Sequence, residues 1–486
     1  MKYNLFILLL ITPVLTYCQN LLRNNSYQAG LSTYLTSGNQ LPFWLHSNQY
    51  GEVPFEGNVL QVMASAHHEY DSTYSVDQKL NKMALGYGLR ANGNVGRVNV
   101  LRLTEAYLKG RAGPFEFYAG RRREIVGLVD STLSSGSYIW SGNALPLPKV
   151  QLSIPNYTPI LKNKLLNIKG TYAHGWFGSA DSVQNYYLHQ KTFYARLGKP
   201  QWRMKFYAGF NHQVQWGGKP TVPFYDTPTD QTITSFPSDL STYINVVTGI
   251  SLNKNLDAGE IKDGIPYNEA FNRAGNHLGT IDIAMDFNTH FGTFMLYRQS
   301  IYEDGSLFYL NNISDGLLGL GFKNSRLGIG LEYLDTRNQG GNTGSGNVIP
   351  QLRGFDNYFN NGLYEDGYTY LSRTLGTPFL MPFRQFSSNV EGSNINPNYL
   401  YFNRIKVIYS SLSYWLPNLQ AHISYSFIES PGRYGSKQTL KNHSTFLSVL
   451  YQKDSMNYQL SVASDIGDFW NSRTGAHLSV IKKLSF

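Results

Sequence analysis

Apolar and polar residues alternate along most of the chain with a period of two, which is the pattern of β-strands that have one apolar face. One strand is predicted at 281–288, where every second residue from Ile281 to Phe287 is apolar. The same alternation runs through both sides of a short turn in three segments, which predicts hairpins at 193–210, 318–333 and 447–462. These strands have about nine to eleven residues, enough to cross a membrane at a tilt.

The composition of the two faces favours a membrane barrel over a soluble β-sandwich. The strands of a sandwich also alternate, but their solvent face carries more Lys and Glu. Here the polar face consists mainly of Gly, Ser, Asn and Tyr with scattered Arg, as at Gly319, Gly321, Gly328 and Gly330. The apolar face ends in Trp, Tyr and Phe, which are typical of the interfacial girdles of a barrel. We therefore predict that the polar face lines a lumen.

The predicted connections alternate between short and long. Short turns are expected after seven residues: Lys109, Leu161, Leu197, Asn288, Phe322, Trp415 and Tyr451. Longer segments lie between them, at 122–148, 177–185, 214–276, 303–315, 335–404, 429–442 and 465–473. This pattern is typical of outer-membrane barrels. Counting back from Phe486, we predict an all-β fold, a closed antiparallel transmembrane barrel of about 18 strands, with both termini in the periplasm and the long loops outside the cell.

The composition excludes several other classes of protein. Charged residues make up 15% of the 486 residues, and aromatic residues make up 14%, including 36 Tyr. An average soluble domain has about 25% charged residues, and disordered chains are poor in aromatics. No stretch after the N-terminus approaches the roughly 20 apolar residues of a membrane helix. The formal charge of +9 is a modest imbalance.

The N-terminus predicts export. Lys2 precedes the apolar run Leu5–Leu15, and Thr16-Tyr17-Cys18 fits a signal-peptide cleavage site. We expect residues 1–18 to be cleaved as a signal peptide and residues 19–486 to form a single barrel domain. A lipidated Cys18 is the alternative, although the bulky Tyr17 before it disfavours this. After cleavage the chain has no cysteine, so disulfides, thiolate catalysis and cysteine metal sites are not expected.

Catalytic, metal and nucleotide motifs are weak. His67 and His68 precede Glu69, but adjacent strand residues point to opposite faces and make a poor metal chelate. Gly319-Leu320-Gly321 lacks the third glycine and the helix of a dinucleotide-binding loop. No Gly-x-Ser-x-Gly motif is present, and no basic run exceeds three residues. We therefore expect no enzyme activity, cofactor, metal or nucleic-acid partner, although a Ser/His/Asp triad depends on geometry and stays open.

Two segments are candidate ligand sites. Arg121, Arg122 and Arg123 end a predicted strand before a Gly/Ser-rich loop that contains Trp140. These arginines are either a basic rim that pairs with lipid headgroups or local acids, or a site that holds the carboxylates of an acidic polymer. In the longest loop, Tyr358, Tyr364 and Tyr368 lie among Asn, Asp and Glu residues. Such side chains bind sugars: aromatic rings pack on the C–H faces of the sugar, and polar groups hydrogen-bond its hydroxyl groups. Alternatively, these rings fold the loop into the barrel mouth.

The order of several motifs resembles the capsule-assembly protein Wzi family. The resemblance rests on the segments 41–51 (LPFWLHSNQYG), 118–121 (YAGR), 141–148 (SGNALPLP), 361–368 (NGLYEDGY) and 375–378 (LGTP). It implies an outer-membrane barrel of eighteen strands whose lumen is blocked by helical elements, and a non-enzymatic surface lectin that holds capsular polysaccharide. Candidate plug segments are Gly38–Pro54 and the two longest loops.

Three functions follow as hypotheses. The first is a monomeric outer-membrane lectin that binds capsular or surface polysaccharide, with outer-membrane lipid and the barrel-assembly machinery as further partners. The second is a porin or polysaccharide-export channel with a lumen that favours anions. The third is a barrel hydrolase that acts on lipid or sugar.

Overall fold

The computed structural model describes residues 25–70, 83–252, 264–303, 306, 311–341, 356–386, 396–432, 434 and 438–485. The expected signal peptide, residues 1–18, lies outside these residues. Eighteen strands form one sheet in which neighbouring strands are antiparallel. The strands are β1 (Asn25–Thr36), β2 (Val59–His68), β3 (Met83–Gly96), β4 (Val100–Ala112), β5 (Phe115–Arg121), β6 (Lys149–Pro159), β7 (Leu166–Gly178), β8 (Tyr186–Leu197), β9 (Met204–Trp216), β10 (Asn276–Asn288), β11 (Thr293–Glu303), β12 (Gly316–Lys323), β13 (Leu327–Asp335), β14 (Lys406–Trp415), β15 (Leu419–Ser430), β16 (Leu440–Lys453), β17 (Met456–Gly467) and β18 (Arg473–Ser485).

The sheet closes on itself because β1 pairs with β2 along one edge and with β18 along the other. Closure leaves no unpaired sheet edge, which is the condition for a sheet to lie in lipid. This confirms the predicted closed antiparallel barrel and the predicted number of strands.

The connections carry a few short elements of their own. They comprise α1 (Phe43–His46), α2 (Leu240–Thr248), α3 (Tyr267–Phe271), a 3-10 helix at Phe383–Gln385, and short strand pairs at Val183–Gln184 with Lys219–Pro220, Phe224–Asp226 with Gln231–Ile233, and Thr369–Tyr370 with Arg373–Thr374. In the part of the chain that the structure describes, no helix is long and apolar enough to cross a membrane.

The alternation in the sequence sorts residues between an outer apolar surface and the lumen. On β10, Ile283 is 57% exposed on the outside, whereas Asp282 beside it is fully buried on the inside. On β12 and β13, Leu318, Leu320 and Leu331 face outward in the same way. The outward rows form an apolar belt around the barrel, which is the surface that contacts lipid in a transmembrane barrel.

The two ends of the barrel differ in the length of their connections. One end, the short-turn end, has turns such as 113–114, 289–292 and 454–455. The other, the long-loop end, has the connections 122–148, 217–275 and 336–405. The predicted alternation is therefore confirmed, with two exceptions: the connection 69–82 is long at the short-turn end, and 97–99 is short at the long-loop end. β1 begins and β18 ends at the short-turn end.

Three connections from the long-loop end fold back into the lumen. They are 37–58, 122–148 and the described part of 336–405, and we call them together the plug. The backbone N–H of Leu128 donates to the Asp282 carboxylate of β10 at 2.9 Å, and that of Ser135 donates to Glu332 of β13 at 2.8 Å. Since segment 122–148 leaves β5 and returns to β6, these bonds hold it across the lumen.

Helix α1 anchors the first plug segment to β15 and β17 of the wall. The Phe43 N–H donates to Asp465 of β17 at 2.9 Å, and the Trp44 indole donates to Ser426 of β15 at 3.1 Å. The Phe43 ring stacks on Phe379, from the third plug segment, with centroids 5.6 Å apart. The plug segments thus share one buried hydrophobic core with the lumen wall.

Two lumen glycines make room for the plug. A Cβ atom at Gly328 would lie 2.7 Å from Leu133 Cδ2, and a Cβ atom at Gly330 would lie 2.7 Å from the Leu133 carbonyl oxygen. The glycines that suggested a lumen face in the sequence therefore allow a plug segment to approach the wall closely.

The expectation that both of the longest loops lie in the plug needs a correction. In the connection 217–275, Ile233 and Phe236 join the plug core. The part that contains α2 instead packs on the outer surface of the wall, where Val246 contacts the outward side chains of Val214 and Trp216. The outward residues Val214 and Trp216 of β9 are therefore covered by protein. The alternation in the sequence shows only that they face outward, and it does not show whether lipid or protein covers them.

Candidate functional site

The three consecutive arginines predicted as a site separate at the end of β5. Gly120, with φ +124°, has a left-handed backbone conformation just before Arg121, the last residue of β5. Arg121 turns toward the plug and donates to the Tyr370 hydroxyl at 2.9 Å. Arg122 and Arg123 turn instead to carboxylates of the lumen wall. All three lie within the barrel, so they are not a rim that faces lipid headgroups.

Arg122 and Arg123 belong to an ion-pair network on the lumen wall. Arg122 bonds Glu116 at 2.5 Å, and Arg123 bonds Glu105 at 3.0 Å. Burial alone would lower the pKa of Arg122, but the charges of Glu124 and Glu116 outweigh it and raise the pKa. These two side chains match the alternative in which the arginines pair with local acids, and they fix the start of segment 122–148.

Arg121 belongs to a second group of charges, the arginine cluster, formed by Arg102, Arg121 and Arg373 around Tyr370. Burial raises the pKa of the Tyr370 hydroxyl, and the nearby charges of Arg121 and Arg102 oppose this rise. Burial and the charge of Arg102 lower the pKa of Arg373 to about 9, against a smaller opposing effect of Glu56. Among the residues that the structure describes, no carboxylate forms an ion pair with any of the three guanidinium groups.

The arginine cluster lies toward the long-loop end. Arg102 is the third residue of β4, which begins at that end, and it faces the lumen between the outward Leu101 and Leu103. Arg102 and Arg121 are partly exposed. Arg373 is buried and donates to the carbonyl oxygens of His46 and Val53, so it joins two plug segments. Guanidinium groups without a carboxylate partner are suited to bind carboxylates of a ligand bidentately.

The predicted aromatic site is buried. The rings of Trp140, Tyr358, Tyr364 and Tyr368 are at most 5% exposed and belong to the plug core. The Tyr358 hydroxyl donates to Asp315 at 2.8 Å, and the Tyr364 hydroxyl donates to the Gly217 carbonyl at 3.2 Å. These contacts correspond to the alternative in which the rings fold the loop into the barrel mouth. In this arrangement no ring face of the four is open to a polysaccharide.

The lumen also contains a polar cavity of about 270 Å³ that residues 122–127 help to line. Its lining includes Arg122, Arg123, Glu116, Glu124 and Lys169. Burial raises the pKa of Glu124, but the charges of Lys149 and Arg122 outweigh it, so the pKa lies below the usual value. Because the acids and most of the cations here are already paired, the cavity is less suited than the arginine cluster to an anionic polymer.

The histidines of the described chain do not form a metal or catalytic set. No group of three or more His, Cys, Asp or Glu has metal-binding geometry in the described ranges. His67 bonds Glu105 at 3.1 Å and His68 bonds Asn25 at 3.2 Å, so the adjacent histidines have separate partners. Ser413 and His422 lie 2.8 Å apart, but within the described chain no carboxylate hydrogen-bonds to that histidine.

Sequence reasoning missed Arg102 and Arg373, and it did not place Tyr370, in the aromatic stretch 364–370, among the site residues. Arg102 is more than 260 positions from the other two in the chain, and each looks unremarkable in its own segment. The sequence contains one partial signal of the cluster. Arg102 lies between two outward leucines near the long-loop end of β4, so its side chain is expected to face the lumen. Only the path of the plug shows which residues approach it.

Solved structures with a similar arrangement of the chain are distant. The outer membrane protein opdK from Pseudomonas aeruginosa is 10% identical, with a TM-score of 0.45 over 95% of this chain and 99% of that chain. OccAB4 from Acinetobacter baumannii is 9% identical, with a TM-score of 0.45 over 95% and 98%. OpdQ from Pseudomonas aeruginosa is 8% identical, with a TM-score of 0.46 over 95% and 98%. At this distance they carry no argument, and the fold rests on the strand pairing.

No curated protein matches the chain. A family model described as capsule assembly protein Wzi matches residues 42–391, from helix α1 through most of the third plug segment. The match includes most of the motifs that carried the resemblance and spans well over half of the chain. This outer-membrane barrel therefore belongs to the capsule assembly protein Wzi family.

Proposed function

We propose that this capsule-assembly barrel is a non-catalytic lectin that binds an exported acidic polysaccharide at its long-loop end. The observation that carries the proposal is the arginine cluster, because three guanidinium groups meet there without an ion-pair partner among the described residues. Arg102 and Arg121 would hold sugar carboxylates, and Arg373 would add charge while it joins the plug segments. A polymer presents many such groups, so weak single sites still retain it.

The proposal includes the orientation and the assembly of the protein. The long-loop end would face the cell exterior, where it meets capsular polysaccharide. A monomer would be inserted by the barrel-assembly machinery after removal of the signal peptide. The plug disfavours the channel alternative, because segment 37–58 is bonded to β15 and β17 and segment 122–148 is bonded to β10 and β13.

Retention on immobilised polysaccharide tests the proposal. The purified barrel in detergent is passed over polygalacturonate, a polymer of acidic sugars, and over surface polysaccharide from its own cells, with neutral dextran as the reference. We expect retention on the two acidic materials at low salt and weaker retention at high salt, because ions screen partly exposed charges.

The double variant Arg102→Gln/Arg121→Gln tests the site itself. Two hydrogen bonds to charged groups, at about 1.5 kcal/mol each, total about 3 kcal/mol, or roughly a hundredfold in affinity per site. The matched control is Arg326→Gln, which removes one exposed charge from the turn 324–326 at the short-turn end. If the double variant binds polygalacturonate as tightly as the control does, the arginine cluster is not the site. Equal retention on dextran would exclude recognition of acidic sugars.

A further inference from the structure

The part of the connection 217–275 that leaves the plug covers an outward row of the barrel wall. The outward residues of β9 are those with even numbers, and Phe206 and Phe210 are exposed among them. The next ones in the same row, His212, Val214 and Trp216, are buried. Since no bulge interrupts the pairing of β9 with β8 or β10, these buried side chains also point outward. They are covered by the segment that contains α2.

Helix α2 is fastened to this outer wall by specific contacts. The Tyr243 hydroxyl lies 2.8 Å from the hydroxyl of Tyr172, an outward residue of β7. The Lys191 ammonium group of β8 donates to the Val247 carbonyl near the end of the helix. Val246 packs against Val214 and Trp216. The helix therefore lies along β7–β9 with one face on the barrel.

The exposed face of α2 carries an apolar row, Leu240 and Ile244, beside the polar Ser241 and Thr248. Leu240 is 75% exposed and Ile244 is 56% exposed, one helical turn apart. The sequence of the helix, LSTYINVVT, contains no charged residue. Asp239 caps its N-terminus by accepting from the Thr242 N–H at 2.8 Å, and Gly249 ends it with φ +69°. The helix is thus defined at both ends, and its apolar row points away from the protein.

The height of α2 on the barrel indicates what covers this row. Phe193 and Phe210 are paired across β8 and β9 and form the last exposed apolar row before the helix. The next row, Lys191 and His212, lies under the helix cover. The exposed leucine and isoleucine therefore continue the apolar belt, and the helix is bonded to Tyr172, an outward aromatic residue of the kind found at a membrane interface.

We propose that α2 lies in the lipid interface at the long-loop end, with Leu240 and Ile244 among the acyl chains. The helix would act as an anchor on one side of the barrel and hold the connection 217–275 at the membrane surface. Lipid is favoured over a protein partner because the row is continuous with the lipid-facing belt and carries no charge that would select a partner. The inference is independent of polysaccharide binding.

Site-directed labelling tests the proposal. The chain has one cysteine, Cys18, which lies in the expected signal peptide, so single-cysteine variants of the mature barrel are accessible. Ile244→Cys is labelled with a polarity-sensitive fluorophore and reconstituted into phosphatidylcholine vesicles that contain brominated acyl chains. Ile283→Cys in the belt is the lipid-exposed reference, and Glu365→Cys in an exposed position of the third plug segment is the aqueous reference.

We expect the label at position 244 to be quenched by brominated lipid nearly as strongly as that at position 283, and several-fold more than that at position 365. A water-soluble quencher such as iodide should show the reverse order. If the label at position 244 behaves like that at 365, the helix faces water and the proposal is wrong. Protection from both quenchers would mean that a protein surface covers the helix, which also overturns it. Leu240→Cys repeats the test if the first variant does not fold.

Discussion

The bond between Glu332 and segment 122–148 predicts how the barrel can be opened. The Glu332 carboxylate of β13 accepts from the Ser135 N–H at 2.8 Å and from the Ser135 hydroxyl, and its other oxygen accepts from the Tyr297 hydroxyl. The change Glu332→Ala removes both bonds that Glu332 forms with the plug. It leaves the Asp282 bond to Leu128 and the Gln299 bond to Tyr138 in place.

The expected loss follows from these two bonds. Hydrogen bonds to a charged group contribute about 1.5–3 kcal/mol each, so we expect the segment to lose about 3 kcal/mol of anchoring. That free energy corresponds to roughly a hundredfold higher population of states in which the segment is released. Because other bonds remain, we expect short current bursts in a planar bilayer rather than a permanently open pore.

The control for this experiment is Glu429→Ala. Glu429 is also a carboxylate of the wall, but it pairs with Lys406 at 3.4 Å, and among the described residues it forms no hydrogen bond to the plug. Both variants are first tested for folding by the shift of the barrel band on heating before electrophoresis. A folded Glu332→Ala barrel with the same low current as Glu429→Ala would refute the reasoning that this carboxylate holds the lumen closed. Wild-type currents as large as those of the variant would refute the occluded lumen itself.

Three further predictions concern other parts of the chain. Gly120→Ala should sharply reduce the yield of folded barrel, because at φ +124° its Cβ would overlap the Ala106 carbonyl oxygen, whereas Gly93→Ala has open space and should fold normally. Burial raises the pKa of Glu269 to about 8, so its packing should weaken as pH rises from about 4.5 to 8; proteolysis of the 217–275 connection should increase over that range, and Glu269→Gln should abolish the dependence. Intact-mass analysis of exported protein should show a chain that begins at Gln19, whereas a lipid on Cys18 would give a heavier species that retains this cysteine.

The sequence by itself determined the barrel. Alternation such as that from Ile281 to Phe287 places one face of the strand in lipid and the other in a lumen. Because backbone N–H and C=O groups in lipid must be hydrogen-bonded within the protein, such a sheet must close into a barrel. The spacing of turns gave the number of strands and the two unequal ends. These features are local, because each depends on residues within one strand or one hairpin.

Only the tertiary structure decided what fills the lumen and where the charges meet. Arg121, Arg122 and Arg123 are adjacent, yet one joins Tyr370 and Arg102, and the other two join wall carboxylates. The rings of Tyr358 and Tyr368 looked like a sugar site but became plug core. The physical reason is that long connections have no periodic pattern, so their path depends on contacts between residues hundreds of positions apart. The same holds for α2, whose position on the outer wall depends on bonds to β7 and β8.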